Sequence, residues 1–223
     1  MTRPRRRLSL VRPLIGLGAA ALTVGLTFST TTAAFTAQTG DTGNQVSSAS
    51  TFCTSPGNTA LGVTNDTWVD QSNPAQANGG STGLIVRSGS GANAHVYLRF
   101  TLPPLPSRCR ITDATLRLHA SSSQGPGTID VHRASATWSS TTATWSMAAR
   151  PTPAGTAVGA PAGTSGWHQW TVTTLVTELY AGPDHGFLLK DHVDNAGSTR
   201  TTVYDSLDNA TIADRPQLLL TWG

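Results

Sequence analysis

The segment Val96-Tyr97-Leu98-Arg99-Phe100-Thr101-Leu102 decides the fold class, because two classes of side chain alternate along it. A period of two residues is typical of a β-strand with one side turned toward a core. The alternation recurs at residues 114–119 and 129–132, and breakers such as Asn73-Pro74 and Pro103-Pro104 separate the runs. Short strands with turns between them indicate a sandwich or barrel. The sequence therefore predicts an all-β fold, an antiparallel jelly-roll β-sandwich.

One short helix interrupts the strand pattern at residues 173–182. Leu175 and Leu179 share one side of this helix, as the helical period requires. Thr173 can cap its first turn, and Gly182 can end it in the left-handed conformation. We expect this helix to close one end of the sandwich.

The first 34 residues are predicted to be a secretory signal peptide. Five arginines precede the apolar stretch 14–28, and the small residues 32–34 offer a cleavage site before Phe35. The apolar stretch is short for a membrane span, which needs about 20 residues. The prediction is a secreted protein, extracellular or associated with the cell surface, without stable membrane insertion after cleavage. An uncleaved membrane anchor is the alternative.

The charge of the chain depends on this leader. The whole chain has 15 basic and 12 acidic residues, but all five arginines of the leader would be lost on cleavage. The remaining chain has 10 basic and 12 acidic residues, a formal net charge of −2, and no basic cluster. Nucleic-acid binding needs a basic patch or stripe, so nucleic acid is not expected as a partner.

Cys53 and Cys109 are the only cysteines. An even number in an exported chain predicts one disulfide, and two free thiols are the alternative. Residues 35–52 are rich in Ser, Thr and Gly, which predicts a flexible segment. Residues 53–223 have a length that suits one domain with a single core.

The sequence shows no recognisable catalytic cluster, and we predict that the protein is not an enzyme. Glu178 is the only glutamate, whereas glycoside hydrolysis usually needs two opposed carboxylates. Asp191 and Asp194 lie close in sequence, but they belong to a polar turn where capping roles are common. The six histidines lack the spacing of a zinc motif. A small polysaccharide-degrading enzyme with a site built from scattered loops is the least favoured alternative.

An ordered set of strand, turn and aromatic residues resembles a known family. The set includes Asp66-Thr67-Trp68-Val69-Asp70, Asn78-Gly79-Gly80, Trp138, Trp145, Trp170-Thr171-Val172, Gly186-Phe187-Leu188-Leu189 and Arg215-Pro216-Gln217-Leu218-Leu219-Leu220. In this order it is similar to the DNRLRE (disaggregatase-related) domains, which are grouped with the family 96 carbohydrate-binding modules. The chain departs from that pattern at Ser139-Ser140 and at Ser206-Leu207-Asp208, where the family carries an acidic residue and a Ser-Arg-Glu triplet.

This resemblance implies a β-sandwich module that binds a polysaccharide or cell-surface glycan. A glycan site needs an exposed aromatic ring and polar groups for the sugar hydroxyls. The outward positions of the predicted strands, together with a possible rim before Trp170, supply seven candidates: Tyr97, Arg99, Arg117, His119, His132, Trp167 and His168. The alternative for this set is an ordinary solvated sheet surface, and the alternative for the protein is an extracellular structural or adhesive matrix protein.

The other aromatic residues are expected to have structural roles. Trp138 and Trp145 fall in a long loop, where a large amphipathic ring more often packs the loop onto the sandwich than contacts a ligand. Trp68, Trp170 and Phe187 are predicted to belong to the core.

Structural calcium is a further possibility, because carboxylates and amide oxygens are calcium ligands. The candidates near the first strand are Asp66, Asp70 and Asn78. Asp205 and Asp208 lie near the last strand. The alternative is that Asn78 begins a tight turn and the aspartates cap strand ends.

Overall fold

The computed structural model describes residues 52–148 and 150–223, so the predicted signal peptide and almost all of the segment 35–52 lie outside the described residues. Within these ranges the chain forms eleven strands, one α-helix and a 3-10 helix at Ile212–Asp214. The strands and the helix, in chain order, are β1 (Gly57–Gly62), β2 (Asn65–Asp70), β3 (Gly83–Ser88), β4 (Ala94–Arg99), β5 (Ile111–Gln124), β6 (Gly127–Ala134), β7 (Pro153–Ala162), β8 (Gly166–Thr171), α1 (Thr173–Ala181), β9 (Phe187–Asp191), β10 (Arg200–Asp205) and β11 (Gln217–Trp222).

All strand pairs are antiparallel, and they join into one curled sheet. The order is β1-β11-β5-β10-β3-β4-β9-β6-β7, with β2 paired to β4 and β8 paired to β5. A single residue pair, Arg87 with Ala94, joins β3 to β4. The two halves of the sheet on either side of this narrow junction enclose a common core. The predicted all-β, sandwich-like fold with one helix is confirmed.

The core joins buried side chains from both halves of the sheet. Leu98 and Ile129 from one half and Leu116 from the other belong to a single buried cluster. Trp170 is 1% exposed and its indole nitrogen donates to the carbonyl of Ile129 at 2.8 Å. Each such side chain contributes about 1.5–3 kcal/mol by leaving water. Trp170 and Phe187 are buried as predicted, and Trp68 packs partly buried against the cluster.

Helix α1 lies where the sequence predicts it, and its buried side chains Leu175 and Leu179 join the core. The predicted cap at Thr173 is wrong, whereas Gly182 ends the helix as predicted but not in the left-handed conformation. Thr173 accepts a hydrogen bond from the amide of Ala114 at 2.9 Å, so its hydroxyl ties α1 to β5. Gly182 has an extended backbone, with φ of −144°. No helix in the described part of the chain is long and apolar enough to cross a membrane.

The predicted disulfide between Cys53 and Cys109 is present, with the two Cα atoms 4.2 Å apart. It joins the segment before β1 to the turn that precedes β5. Two further contacts reinforce this junction, because the amide and the hydroxyl of Thr54 both donate to the carbonyl of Ser107. The N-terminal edge of the domain is therefore held against the strand that carries the candidate site.

Candidate functional site

The long connection between β6 and β7 covers the outer side of β4 and β9. Trp138 is 4% exposed and belongs to a second buried cluster with Val69, Tyr97 and Leu188. Trp145 packs against the same cluster. The prediction that these two tryptophans hold a loop onto the sandwich is confirmed. This outer side of the sheet is therefore closed to a ligand by the protein itself.

Tyr97 lies beneath this connection and has no exposed surface. Its hydroxyl donates to the carbonyl of Pro151 at 2.8 Å, and its ring centre is 5.7 Å from that of Trp138. The prediction that Tyr97 faces solvent is wrong, because β4 is covered on both sides. A ring without exposed surface cannot stack on a sugar, so the site cannot be centred on Tyr97.

Arg99 and His132 lie on the same covered side. The guanidinium of Arg99 is 5.0 Å from the ring centre of Trp138. Within residues 52–148 and 150–223, Arg99 Nε and Nη2 and His132 Nδ1 are buried without a hydrogen-bond partner. Burial lowers the pKa of His132 below its usual range. The structure therefore separates these two candidates from those on β5 and β8.

His168 points into the core and is 7% exposed. Its Nε2 lies 3.1 Å from the carbonyl of Thr164, which can only accept, so Nε2 carries the proton. Its Nδ1 then accepts from the hydroxyl of Tyr204 at 2.8 Å. Burial lowers the pKa of His168, which favours this neutral form. The expectation that His168 lines the rim of a site is wrong, because neighbouring strand residues point to opposite sides of a sheet.

Three of the seven predicted glycan-binding residues meet on the outer side of β5 and β8. They are Arg117, His119 and Trp167. The strand register places His119 opposite Trp167, and their ring centres are 5.4 Å apart. Arg117 lies two residues from His119 on the same side of β5, and its guanidinium is 4.5 Å from the ring centre of Trp167. All three side chains are partly exposed. We call this group, with its polar neighbours, the Trp167 surface.

Asp205 extends the Trp167 surface across a third strand. Its carboxylate lies 2.7 Å from Nδ1 of His119 and also accepts from the side-chain amide of Asn209 at 2.7 Å. Asp205, His119 and Trp167 therefore form a row across β10, β5 and β8. Asp214, in the 3-10 helix before β11, brings a second carboxylate to this row, with donor atoms of Asp214, His119 and Asp205 all within 4.8 Å of one another.

Asp214 was missed by sequence reasoning. It lies 95 positions from His119 in the chain, and a single aspartate in a turn has no motif to mark it. The contact arises because β10 and β11 pair with the same long strand, β5. The segment that connects them then folds back over the end of β10. Strand register and loop path, not sequence spacing, assemble this part of the site.

The five predicted calcium ligands do not assemble into one site. The carboxylate of Asp70 pairs with Arg87, and the amide of Asn78 donates to the carbonyl of Trp68 at 2.9 Å. These two residues therefore have structural partners near the far end of β2. The remaining three lie near the turn that follows β10: Asp66, Asp205 and Asp208.

Asp66 is a buried carboxylate, 2% exposed, that accepts a hydrogen bond from the amide of Leu207 at 2.6 Å. Burial raises its pKa to about 6, and the nearby charge of Asp208 adds to the rise. The amide of Leu207 and the positive charge of Arg215 act in the opposite direction. Its observed role is to anchor the turn that leads from β10 toward Asp214.

Asp191 and Asp194 have structural partners. Asp191 accepts two hydrogen bonds from Arg200, at 2.5 and 3.1 Å, and one from the amide of Val193. Asp194 lies 3.2 Å from His95 and 3.2 Å from Lys190. Both carboxylates therefore hold the turn after β9 to neighbouring strands.

Comparison with known proteins supports the family indicated by the strand and turn pattern. No curated protein matches the chain. Residues 58–222, about three quarters of the 223-residue chain, match the family profile of carbohydrate-binding module family 96. The match begins in β1 and ends in β11, so it spans the whole curled sheet and the Trp167 surface. The chain belongs to carbohydrate-binding module family 96.

Proposed function

We propose that this protein is a secreted, non-catalytic module that binds polysaccharide through the Trp167 surface. The observation that carries the proposal is the row formed by Asp205, His119 and Trp167, with Arg117 beside it, on a sheet surface of a carbohydrate-binding module family. An indole ring offers an apolar surface to the C–H groups of a sugar. Charged and amide groups around it can bind the hydroxyls.

The neighbouring residues extend this polar surface along the strands. Gln217 and Gln169 are opposite Arg117 on its two sides, which gives a second polar row parallel to the first. Gln169 is exposed, and so is Thr171, two residues further along β8. A shallow surface with one aromatic ring and several hydrogen-bonding side chains suits a chain of sugar units better than a deep pocket would.

Arg117 has the geometry to orient a sugar on the tryptophan. Its guanidinium covers part of the Trp167 ring, and its Nε is buried without a hydrogen-bond partner in the described part of the chain. A sugar that binds at the exposed part of the indole can contact this guanidinium at the same time. The remaining guanidinium hydrogens can then donate to hydroxyl or ring oxygens of the sugar.

Secretion has independent support from the disulfide. Disulfides form and persist mainly in oxidising compartments and are rare in the cytosol. The bond between Cys53 and Cys109 therefore agrees with the export predicted from the first 34 residues. A binding module outside the cell would meet insoluble or surface-attached glycans.

The test is retention of the purified chain on a panel of insoluble and immobilised polysaccharides, with and without a chelator. We expect selective retention on one class of polysaccharide and a loss of about tenfold in affinity for Trp167→Ala, since a stacked ring contributes about 0.5–1.5 kcal/mol beyond the area it buries and about 1.4 kcal/mol corresponds to tenfold. Trp145→Ala is the matched control, because Trp145 also has an arginine 4.1 Å from its ring centre but lies over the other half of the sheet, beside β4 and β9. A folded wild-type protein that passes through every polysaccharide would contradict the proposal.

A second candidate function is an adhesive or structural matrix protein that assembles with copies of itself. Among the described residues, β1 pairs only with β11, so its other edge is free. A groove of about 320 Å³ lies at the end of the β1–β11 pair, lined mainly by apolar side chains that include Leu61, Val63 and Ile212, and Ile212 is 73% exposed. Free strand edges and apolar patches promote assembly. Sedimentation of the protein at increasing concentration tests this candidate. If the candidate is correct, the wild-type protein forms oligomers and the Ile212→Lys variant does not.

A further inference from the structure

Three side chains on the Trp167 surface have the composition of a metal-binding site. His119 comes from β5, Asp205 from the end of β10 and Asp214 from the 3-10 helix before β11. Their donor atoms all lie within 4.8 Å of one another. Because three separate elements supply them, the fold itself holds these donors together.

The donor set indicates the class of metal ion. Calcium and magnesium prefer oxygen ligands, so a histidine nitrogen disfavours both. Zinc and related divalent transition metals bind histidine nitrogen and carboxylate oxygen together, usually in a tetrahedral arrangement. Three protein ligands would leave one position for water or another ligand, an arrangement known from catalytic zinc sites.

The observed spacing is close to what a metal ion requires. Ligand atoms about 2.1 Å from a tetrahedral zinc ion lie about 3.4 Å from one another. The distance between Nδ1 of His119 and the carboxylate of Asp205 is 2.7 Å, which is shorter than this value. The donor atoms of all three residues lie within 4.8 Å of one another, a limit that is longer than this value. Small rotations of the side chains would therefore reach the required geometry without moving a strand.

The surroundings hold two of the three donors in position. Asp205 is 7% exposed, and the amide of Asn209 fixes one of its oxygens at 2.7 Å. The ring of His119 packs edge-on against Trp167. Hydrogen bonds and packing of this kind orient metal ligands in known sites.

Charge and access also favour a cation at this position. Within residues 52–148 and 150–223, no ion pair or side-chain hydrogen bond engages the carboxylate of Asp214. Two carboxylates thus face one histidine, and the side chain of His119 is 28% exposed. An ion can enter from solvent and exchange the hydrogen bond between His119 and Asp205 for two metal–ligand bonds.

We propose that His119, Asp205 and Asp214 form a binding site for one divalent transition-metal ion of the zinc class. The site does not depend on sugar binding, since all of its ligands belong to the protein.

Calorimetric titration of the purified chain, without a histidine tag, with zinc chloride tests the proposal. We expect one zinc ion per chain, no competition from calcium, and a loss of affinity of about tenfold or more in both Asp214→Asn and His119→Gln. Asp113→Asn is the matched control, because Asp113 is an exposed aspartate on β5, the strand that carries His119. Melting curves without metal show whether each variant is folded.

Three results would overturn the proposal: no saturable zinc binding by the wild-type chain, unchanged affinity in a folded Asp214→Asn variant, or an equal loss in Asp113→Asn. Asp214 is partly exposed, so its change to asparagine is not expected to unfold the domain. The titration measures zinc binding alone, so it can be interpreted even if the protein binds no glycan. A failure to bind zinc likewise does not affect the test of glycan binding.

Discussion

At the scale of single residues, Asp66 shows how a buried charge can serve a turn and reduce stability at the same time. The carboxylate accepts the amide hydrogen of Leu207 at 2.6 Å, which fixes the chain after β10. Burial nevertheless raises its pKa to about 6, so ionisation costs more free energy in the folded protein than in the unfolded chain. An acceptor without a charge would retain the contact and avoid this cost.

Asp66→Asn is therefore expected to stabilise the protein near pH 7.5 by about 1–3 kcal/mol. Because the folded pKa of about 6 lies above the usual value of 3.8, the contribution of Asp66 to stability is fully present below about pH 3.8 and is lost as the pH rises through about 6. The advantage of the variant should thus disappear near pH 4. Urea unfolding of both proteins at pH 4 and pH 7.5 measures the two differences.

Asp113→Asn is the control for this prediction. Asp113 is an exposed aspartate on β5 that does not contribute to the raised pKa of Asp66, and removal of an exposed charge usually changes stability by less than about 0.5 kcal/mol. An advantage of Asp66→Asn that is the same at both pH values would show that burial of the charge is not its cause.

At the scale of elements, the connection between β6 and β7 determines which half of the sheet has an outer side open to solvent. It covers Tyr97 and Leu188 and leaves the strands of the Trp167 surface uncovered. The connection approaches the turn after β2 closely at Gly79. A Cβ atom at Gly79 would lie only 2.2 Å from the carbonyl oxygen of Ser140.

Gly79→Ala is therefore expected to destabilise the protein by about 1–3 kcal/mol, because backbone atoms of Ser140 must move to admit the methyl group. Gly80→Ala is the adjacent control, since nothing lies within 4 Å of a Cβ atom there. Chemical denaturation compares the two variants, and protease digestion shows whether the β6–β7 connection is the part released. Equal stability of the two variants would contradict the close packing of this connection.

At the scale of the whole molecule, the disulfide closes a loop of 56 positions that contains β1 to β4. In the chain-entropy model such a bond restricts the unfolded chain and stabilises the fold by about 4 kcal/mol. It also holds the start of the domain beside β5, the strand that carries Arg117 and His119.

The double variant Cys53→Ser, Cys109→Ser is expected to unfold at a lower temperature and a lower denaturant concentration, because its unfolded chain has more freedom. Reduction of the wild-type protein should have the same effect. Calorimetry of the oxidised, reduced and variant proteins provides the measurement. If the reduced and variant proteins melt at the same temperature as the oxidised protein, the bond does not contribute to stability.

Local pattern determined much of the fold before any contact was known. Alternation placed Leu98 and Leu116 inside, because a strand turns successive side chains to opposite sides. The helical period likewise placed Leu175 inside, and an even number of cysteines predicted the disulfide. The helix ends were not predictable in the same way, because Thr173 hydrogen-bonds to a residue 59 positions away.

The tertiary structure decided what happens on the outer side of each strand. Tyr97 and Trp167 both occupy outward positions, yet a distant connection covers the first and leaves the second partly exposed. The meeting of His119, Asp205 and Asp214 depends in the same way on strand register and on the path of a loop. Alternation reports which side of a strand a residue occupies, whereas only the packing of remote segments determines whether that side meets solvent, protein or ligand.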